Sequence, residues 1–299
     1  MAISAGQVKE LREKTGVGMM ECKKALEESS GDMDKAVVWL RERGLARASS
    51  KAGRAAAEGL VIDYVSSDKT SAVLIELNCE TDFVTKNDDF VQFAQKIAKL
   101  ALDKKTRSVE ELKSLPFEGG VSVGDFLTTL IARIGENMNI RRLSTLSISN
   151  GTIVSYNHMG GKIGTLVALA GATGQQAEDL GKDVAMHIAA AAPRYLESSE
   201  VATAELEQER EIARKRLLEE GKPANMLDKI LEGQISKFYK EVCLLEQPFV
   251  KDPKVSVSKH VTAVIKDATV AAFVRFQLGD GVEKKQEDFA AEVAAQLKK

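Results

Sequence analysis

The 299-residue chain is 44% hydrophobic, 5% aromatic and 29% charged, which is enough for about two domains of ~100–200 residues with a real core. Its 42 Lys and Arg against 44 Asp and Glu leave a formal net charge of −2, a poor match to a protein that lives on a phosphate backbone. Three distant cysteines (Cys22, Cys79, Cys243) exclude a disulfide scaffold and a CxxC metal site, and three scattered histidines (His158, His187, His260) spell out no zinc cluster.

From the amino terminus, residues 7–43 predict three short helices. The first, near 8–14, is stopped by the TGVG segment at 15–18; the second, 19–29, ends at Gly31 in a left-handed cap. The third takes Asp32 or Asp34 as N-cap, carries Ala36, Val37, Trp39 and Leu40, and ends before Gly44. So small a bundle serves either as a capping subdomain or as a docking module with an exposed loop. Residues 44–58 are rich in Ala, Ser and Gly, with Arg47, Lys51 and Arg54, and read as a partly helical linker whose cations are solvated.

The period then changes to two. Leu60, Ile62 and Tyr64 alternate with Val61, Asp63 and Val65, a turn falls at 66–69, and residues 72–78 complete a hairpin. A helix from about Asn87 puts Phe90, Phe93, Ala94, Ile97, Ala98 and Ala101 on one stripe, another lies near 123–134, and a third strand near 138–149. The unit repeats. Shifted by 92, Gly59, Tyr64, Leu74, Ile75 and Leu77 fall on Gly151, Tyr156, Leu166, Val167 and Leu169. Shifted by 91, Phe93, Ala94 and Ile97 fall on Val184, Ala185 and Ile188, so one residue is deleted between hairpin and helix. A strand near 270–278 mirrors the one before Ser149. The expected fold is therefore α+β: two related hairpin-plus-helix halves with antiparallel sheets.

Within the second half, charged helical residues from 200 and an apolar stripe at Leu227, Leu231, Ile235, Phe238 and Val242, facing Leu206, Ala213 and Leu217, predict an inserted antiparallel helical hairpin over 200–242. The tail, 283–299, reads as an amphipathic helix with Phe289, Val293 and Leu297 on one face, to be buried against this protein or a partner. The boundaries drawn are 1–54 for the helical module and linker, 55–149 and 150–279 for the two halves, and 280–299 for a C-terminal module.

Catalytic chemistry is hard to find. The chain has no GxxxxGK[ST] loop, no GxGxxG after a strand and no GxSxG. The glycines at 160, 161 and 164 sit in a hairpin turn, His187 lies on an apolar helical stripe, and Cys22 and Cys79 have no His nearby in sequence, so packed structural roles suit all of them. The segment ELNCETDFV at 76–84 is unusual because it sets an acid beside a large aromatic where a strand meets a helix. Either Asp82 or Asn87 caps the helix while Phe83 enters the core, or an exposed acid–aromatic pair is aimed at another protein.

Three segments carry a resemblance: LREKTGVGMMECKKAL at 11–26, ELNCETDFV at 76–84 and IGENMNIRR at 134–142. In this order they resemble bacterial translation elongation factor Ts of the long form, with Thr85 departing from the family's usual Ala or Ser. The resemblance implies a UBA-like N-terminal module, a coiled-coil hairpin and a C-terminal module. It also implies a non-enzymatic, cytoplasmic guanine nucleotide exchange factor acting on elongation factor Tu, with no cofactor, no metal of its own, and no nucleic-acid or membrane partner. Thr81, Asp82, Phe83 and Val84 would dislodge the partner's magnesium, Arg12, Met19 and Met20 would grip its GTPase domain, and His158 would contact its other domains. A one-to-one complex and a dimer of heterodimers are both compatible with this. A binding partner without exchange activity, and a hydrolase using Cys79 or His187, are the competing functions.

Overall fold

In the computed structural model, which describes residues 3–282 (without the side chains of 224–226), local capping chemistry starts most of the helices. Helix α1 (Ala5–Thr15) opens with a capping box in which the Gln7 N–H donates to Ser4 Oγ at 3.2 Å and the Ser4 N–H donates to Gln7 Oε1 at 3.0 Å. Helix α2 (Met19–Glu28) follows, and Asp32 caps α3 (Met33–Lys51) by accepting from the Lys35 N–H at 3.0 Å. The three close on Val8, Leu11, Cys22, Ala25, Leu26, Ala36 and Leu40. Helix α3 does not stop at Gly44 as the sequence suggested. Gly44 is buried, and a Cβ there would lie 3.7 Å from Ala132 Cβ, ordinary van der Waals distance, so the helix runs on through it against a later helix.

Strands β1 (Glu58–Val65) and β2 (Ser71–Cys79) form the first hairpin; α4 (Asp88–Asp103), the short α5 (Val109–Ser114), α6 (Val123–Ile134) and β3 (Met138–Ser147) follow, in the sheet order β1-β2-β3. Phe93, Phe117 and Phe126 pack as a triad, with ring centroids 4.9 to 5.7 Å apart. The second half repeats the plan: β4 (Gly151–His158), β5 (Ile163–Ala170) and α7 (Gln175–Ala191). Strands β4 and β5 pair antiparallel from Gly151↔Ala170 to His158↔Ile163.

Helices α8 (Thr203–Glu219) and α9 (Ala224–Val242) form the inserted hairpin, with Ala213, Leu217, Leu227, Ile235 and Val242 buried along its seam. At its base Arg194 pairs with Glu205 at 2.7 Å and lies over the Tyr195 and Phe238 rings, while the Tyr195 hydroxyl donates to Glu205. Strands β6 (Pro248–Phe249) and β7 (Asp252–Ser256) and helix α10 (Val257–Val264) lead to β8 (Thr269–Gln277), which completes the order β4-β5-β8. Valine, leucine and alanine from β5, α7 and α10 fill this core, with Phe249.

Internal duplication is visible at atomic scale. A Cβ on Gly59 would lie 2.1 Å from Leu77 O, and a Cβ on Gly151 would lie 2.0 Å from Leu169 O. The two pairs are related by the 92-residue shift, so each half needs glycine at the same place for the same close approach.

Contacts divide the described residues into two units, 3–61 with 75–143 and 277–282, and 62–74 with 144–276. This division falls inside strands, unlike the linear boundaries at 54, 149 and 279. The amphipathic tail at 283–299 lies outside the described residues. No helix among the described residues is long and apolar enough to cross a membrane.

Candidate functional site

The site is built outward from a buried carboxylate. Glu76, fully buried in β2, accepts from Asn78 Nδ2 at 3.1 Å, Arg141 Nη1 at 3.0 Å, Arg142 Nε at 2.6 Å and the Gly279 N–H at 2.9 Å. The second guanidinium nitrogens are used as well: Arg142 Nη2 donates to Gln277 O at 3.0 Å and Arg141 donates to Asp280 O. Burial by itself would raise the Glu76 carboxyl, but the Gly279 N–H and the two arginines outweigh it and hold the group below its ordinary value. An acid in the middle of an apolar strand is tolerable only with such partners.

Beyond β2 the chain turns through residues 80–83 into a short 3₁₀ turn (Val84–Lys86), and Asn87 caps α4 by accepting from the Asp89 N–H at 3.0 Å. Val84 is buried and anchors the turn. Phe83 is 78% exposed and Asp82 beside it is exposed too, so the aromatic is not in the core and Asp82 is not the helix cap. Inside the turn, Thr85 Oγ1 donates to Asp82 O at 2.6 Å and the Thr85 N–H donates to the same oxygen at 3.2 Å. The hydroxyl at position 85 thus tightens this knuckle.

A second loop braces it. The Thr81 N–H donates to Glu136 Oε2 at 2.9 Å, Thr81 Oγ1 donates to Glu136 Oε1 at 2.6 Å, and the Asn137 N–H donates to Glu80 Oε1 at 2.5 Å. Arg54 joins them, with Nη1 3.4 Å from Glu80 Oε2 and its carbonyl accepting from Asn137 Nδ2 at 2.8 Å, and Lys51 Nζ donates to Gly135 O. Glu80, Glu136, Asn137, Arg141 and Arg142 were not assigned roles from the sequence, although the segments 76–84 and 134–142 that contain them stood out. The signal was the unpaired acid at Glu76 on an apolar strand and the two consecutive arginines on another.

The remaining sequence candidates are spread out. Arg12, Met19 and Met20 are exposed around the α1–α2 turn, Met20 at 76%, so neither methionine belongs to the core. His158 is exposed at the end of β4, with Nδ1 2.9 Å from the Tyr156 hydroxyl, and Met159 beside it is exposed as well. The knuckle and the α1–α2 turn belong to one contact unit and His158 to the other.

His187 is buried: Nε2 lies 2.9 Å from Gln247 Oε1, and Nδ1 accepts from the Val250 N–H at 3.1 Å. Burial pulls its pKa down while the bond to Gln247 opposes this, so the ring is a neutral packing element. Cys22, Cys79 and Cys243 are all buried; burial pushes the Cys243 thiol up to about 11 and raises that of Cys22. Among the described residues no group of three or more His, Cys, Asp or Glu side chains gathers to hold a metal ion.

Comparison with known proteins agrees over nearly the whole chain. A family profile described as "Elongation factor TS" matches residues 80–280. The chain is 50% identical to elongation factor Ts of Clostridium botulinum (strain Alaska E43 / Type E3), over 99% of this chain and 100% of that protein. It is 50% identical to the protein of the same name from Clostridium perfringens (strain SM101 / Type A), and 49% identical to that of Magnetococcus marinus, each over 98% of both chains.

Proposed function

The chain belongs to the elongation factor Ts family of translation elongation factors, and from that membership we propose that it is a non-catalytic guanine nucleotide exchange factor that binds elongation factor Tu and promotes GDP release. A GTPase holds GDP through backbone N–H groups, a lysine and Mg²⁺. Releasing it needs no bond-making, only a partner that binds the nucleotide-free form more tightly than the loaded one. By linkage, the factor weakens GDP by the same ratio as GDP weakens the factor. Each tenfold step takes ~1.4 kcal/mol of differential binding.

Phe83 carries this reading. A ring 78% exposed on a short, doubly braced turn is positioned as an aromatic anchor that a partner can cover. Burying such an aromatic removes on the order of 150 Å² of apolar surface, worth up to ~4 kcal/mol at ~25 cal/mol/Å². That is about three tenfold steps in affinity. Phe83 acts as a wedge in the GTPase domain, with buried Val84 behind it and Thr81 fixing the approach. Asp82 brings a carboxylate to the magnesium-binding region, where the ion is the largest local charge. Arg12, Met19 and Met20 supply a second contact to the same domain, methionine being adaptable at interfaces. His158 reaches the partner's remaining domains.

The test is stopped-flow release of a fluorescent GDP from elongation factor Tu. Wild type accelerates release, and Phe83→Ala and Asp82→Ala each slow the stimulated rate. A chain that co-purifies with the GTPase yet leaves GDP loss unchanged is a binding partner only, and the proposal is then wrong.

A further inference from the structure

We propose that Glu80 and Glu136 form a reciprocal clasp that positions the Asp82–Phe83 knuckle, making both of them positioning residues for exchange; this rests on the function proposed above. The two loops exchange equivalent bonds. Glu136 takes the backbone N–H of Thr81, and Glu80 takes the backbone N–H of Asn137, so each acid grips the residue that follows the other acid in sequence. Glu136 adds the Thr81 hydroxyl at 2.6 Å and thereby uses both oxygens on one residue. Charge-assisted bonds to backbone N–H groups are about twice as strong as neutral ones, and two in opposite directions fix orientation as well as distance.

The clasp holds the start of the turn, where the chain leaves β2. Val84 and Asn87 secure the turn's exit into α4, and Cys79 Sγ donates to Thr81 O at 3.1 Å. Only Glu136 holds the Thr81 N–H and hydroxyl among the hydrogen bonds of the described residues. Releasing it frees residues 80–83 to rotate about the buried ends, swinging the Phe83 ring. Its aim matters because a displacement of ~1 Å in a positioned group can cost 10²-fold. Arg54 closes the clasp from outside by its contacts to Glu80 and Asn137, so the same joint receives the end of the N-terminal helical segment.

Two readouts test the clasp. In stimulated GDP release, Glu136→Ala should lose roughly 10- to 30-fold, about the worth of a single charge-assisted bond. Thr81→Val, which keeps the backbone donor and loses the hydroxyl, should fall between wild type and Glu136→Ala. In a Phe83→Ala background, Glu136→Ala should cost clearly less than it does in wild type, because part of its effect runs through the ring; a general loss of stability would add in full. An undiminished rate for Glu136→Ala, or full additivity with Phe83→Ala, overturns the proposal.

The second readout needs no partner. Trp39 is the only tryptophan, so Trp39→Phe with Phe83→Trp places a single reporter on the knuckle. Time-resolved anisotropy should show greater local motion of that reporter when Glu136→Ala is added. Unchanged motion also overturns the proposal. If wild type fails to stimulate release while the reporter loosens, the exchange function falls and the clasp stands. Should Glu136→Ala not fold, Glu136→Gln and Thr81→Val carry both measurements.

Discussion

Replacing Glu76 by Gln tests the foundation on which the knuckle stands. The variant keeps shape and one acceptor but presents an amide N–H₂ where the second oxygen faced a guanidinium, setting donor against donor. Breaking one side of a buried ion pair costs ~3–5 kcal/mol, but Arg141 and Arg142 are 25% and 31% exposed, and water takes up part of their charge. About 2–4 kcal/mol remains. At ~2–4 °C per kcal/mol, a loss near 3 kcal/mol lowers the melting temperature by ~6–12 °C. The pH dependence supplies a separate check. Because the folded Glu76 carboxyl lies below its ordinary 4.5, the unfolded chain binds more protons as the pH falls past that point. Its contribution is fully present above about pH 4.5 and is lost as the pH drops through the folded value. Glu76→Gln should therefore be destabilised at pH 7 yet lose less further stability than wild type on acidification. Urea unfolding followed by circular dichroism at pH 7 and across pH 5–3 measures both. A cost under about 0.5 kcal/mol at pH 7, or parallel acid profiles, refutes the assignment of Glu76 as the hub.

Other consequences are simpler to check. Phe83→Ala should leave urea stability within about 0.5 kcal/mol of wild type, because the ring contacts mostly solvent, even as stimulated GDP release falls by tenfold or more. Gly59→Ala and Gly151→Ala should each destabilise by at least ~2 kcal/mol, since the new Cβ meets a carbonyl oxygen near 2 Å in both halves. His187 should titrate below its ordinary 6.5 by ¹⁵N NMR as the Nε2–H tautomer, so its contribution is present above about pH 6.5 and lost on acidification. A thiol reagent at pH 7.5 should find none of the three buried cysteines in the native protein and all of them after unfolding.

Much of this architecture is legible in the residues because burial imposes strong periods. The α4 stripe from Phe90 to Ala101 marks its element, and Asn87 marks the start of α4 by its side-chain chemistry, whereas β1 is buried consecutively over 59–61 and shows no alternating burial. Helix α3 misleads because Gly44 is an ordinary stop signal until α6 is packed against it, and nothing local announces that contact. The six-residue α5 and the two-residue β6 are too short to show a period at all. At the knuckle, the types of Asp82 and Phe83 were informative but their exposure was not, since an aromatic beside a strand fits a core equally well. The clasp was invisible for a different reason. Glu80 and Glu136 are separated by 56 positions, and only the pairing of two loops brings them into reach.

The internal repeat explains how such a knuckle fits a scaffold that works without one. In the second half, residues 171–174 join β5 to α7, and α7 begins at Gln175. Aligned on the buried helix positions Phe93 and Val184, Gln175 corresponds to Val84, so the second half is already helical where the first is still in its 3₁₀ turn. Helix α4 instead begins at Asp88, and the first half holds one residue more between equivalent buried positions of strand and helix, Leu77 to Phe93 against Leu169 to Val184. One added residue and one rewound helical turn thus separate a plain connection from an acid–aromatic projection. Both cores stay unaltered, because the buried ends, Leu77 with Gly59 and Leu169 with Gly151, are the same. Residues 80–83 carry no buried side chain and Val84 anchors only their far end, so two carboxylates from facing turns hold the near end, behind Phe83 and not beside it.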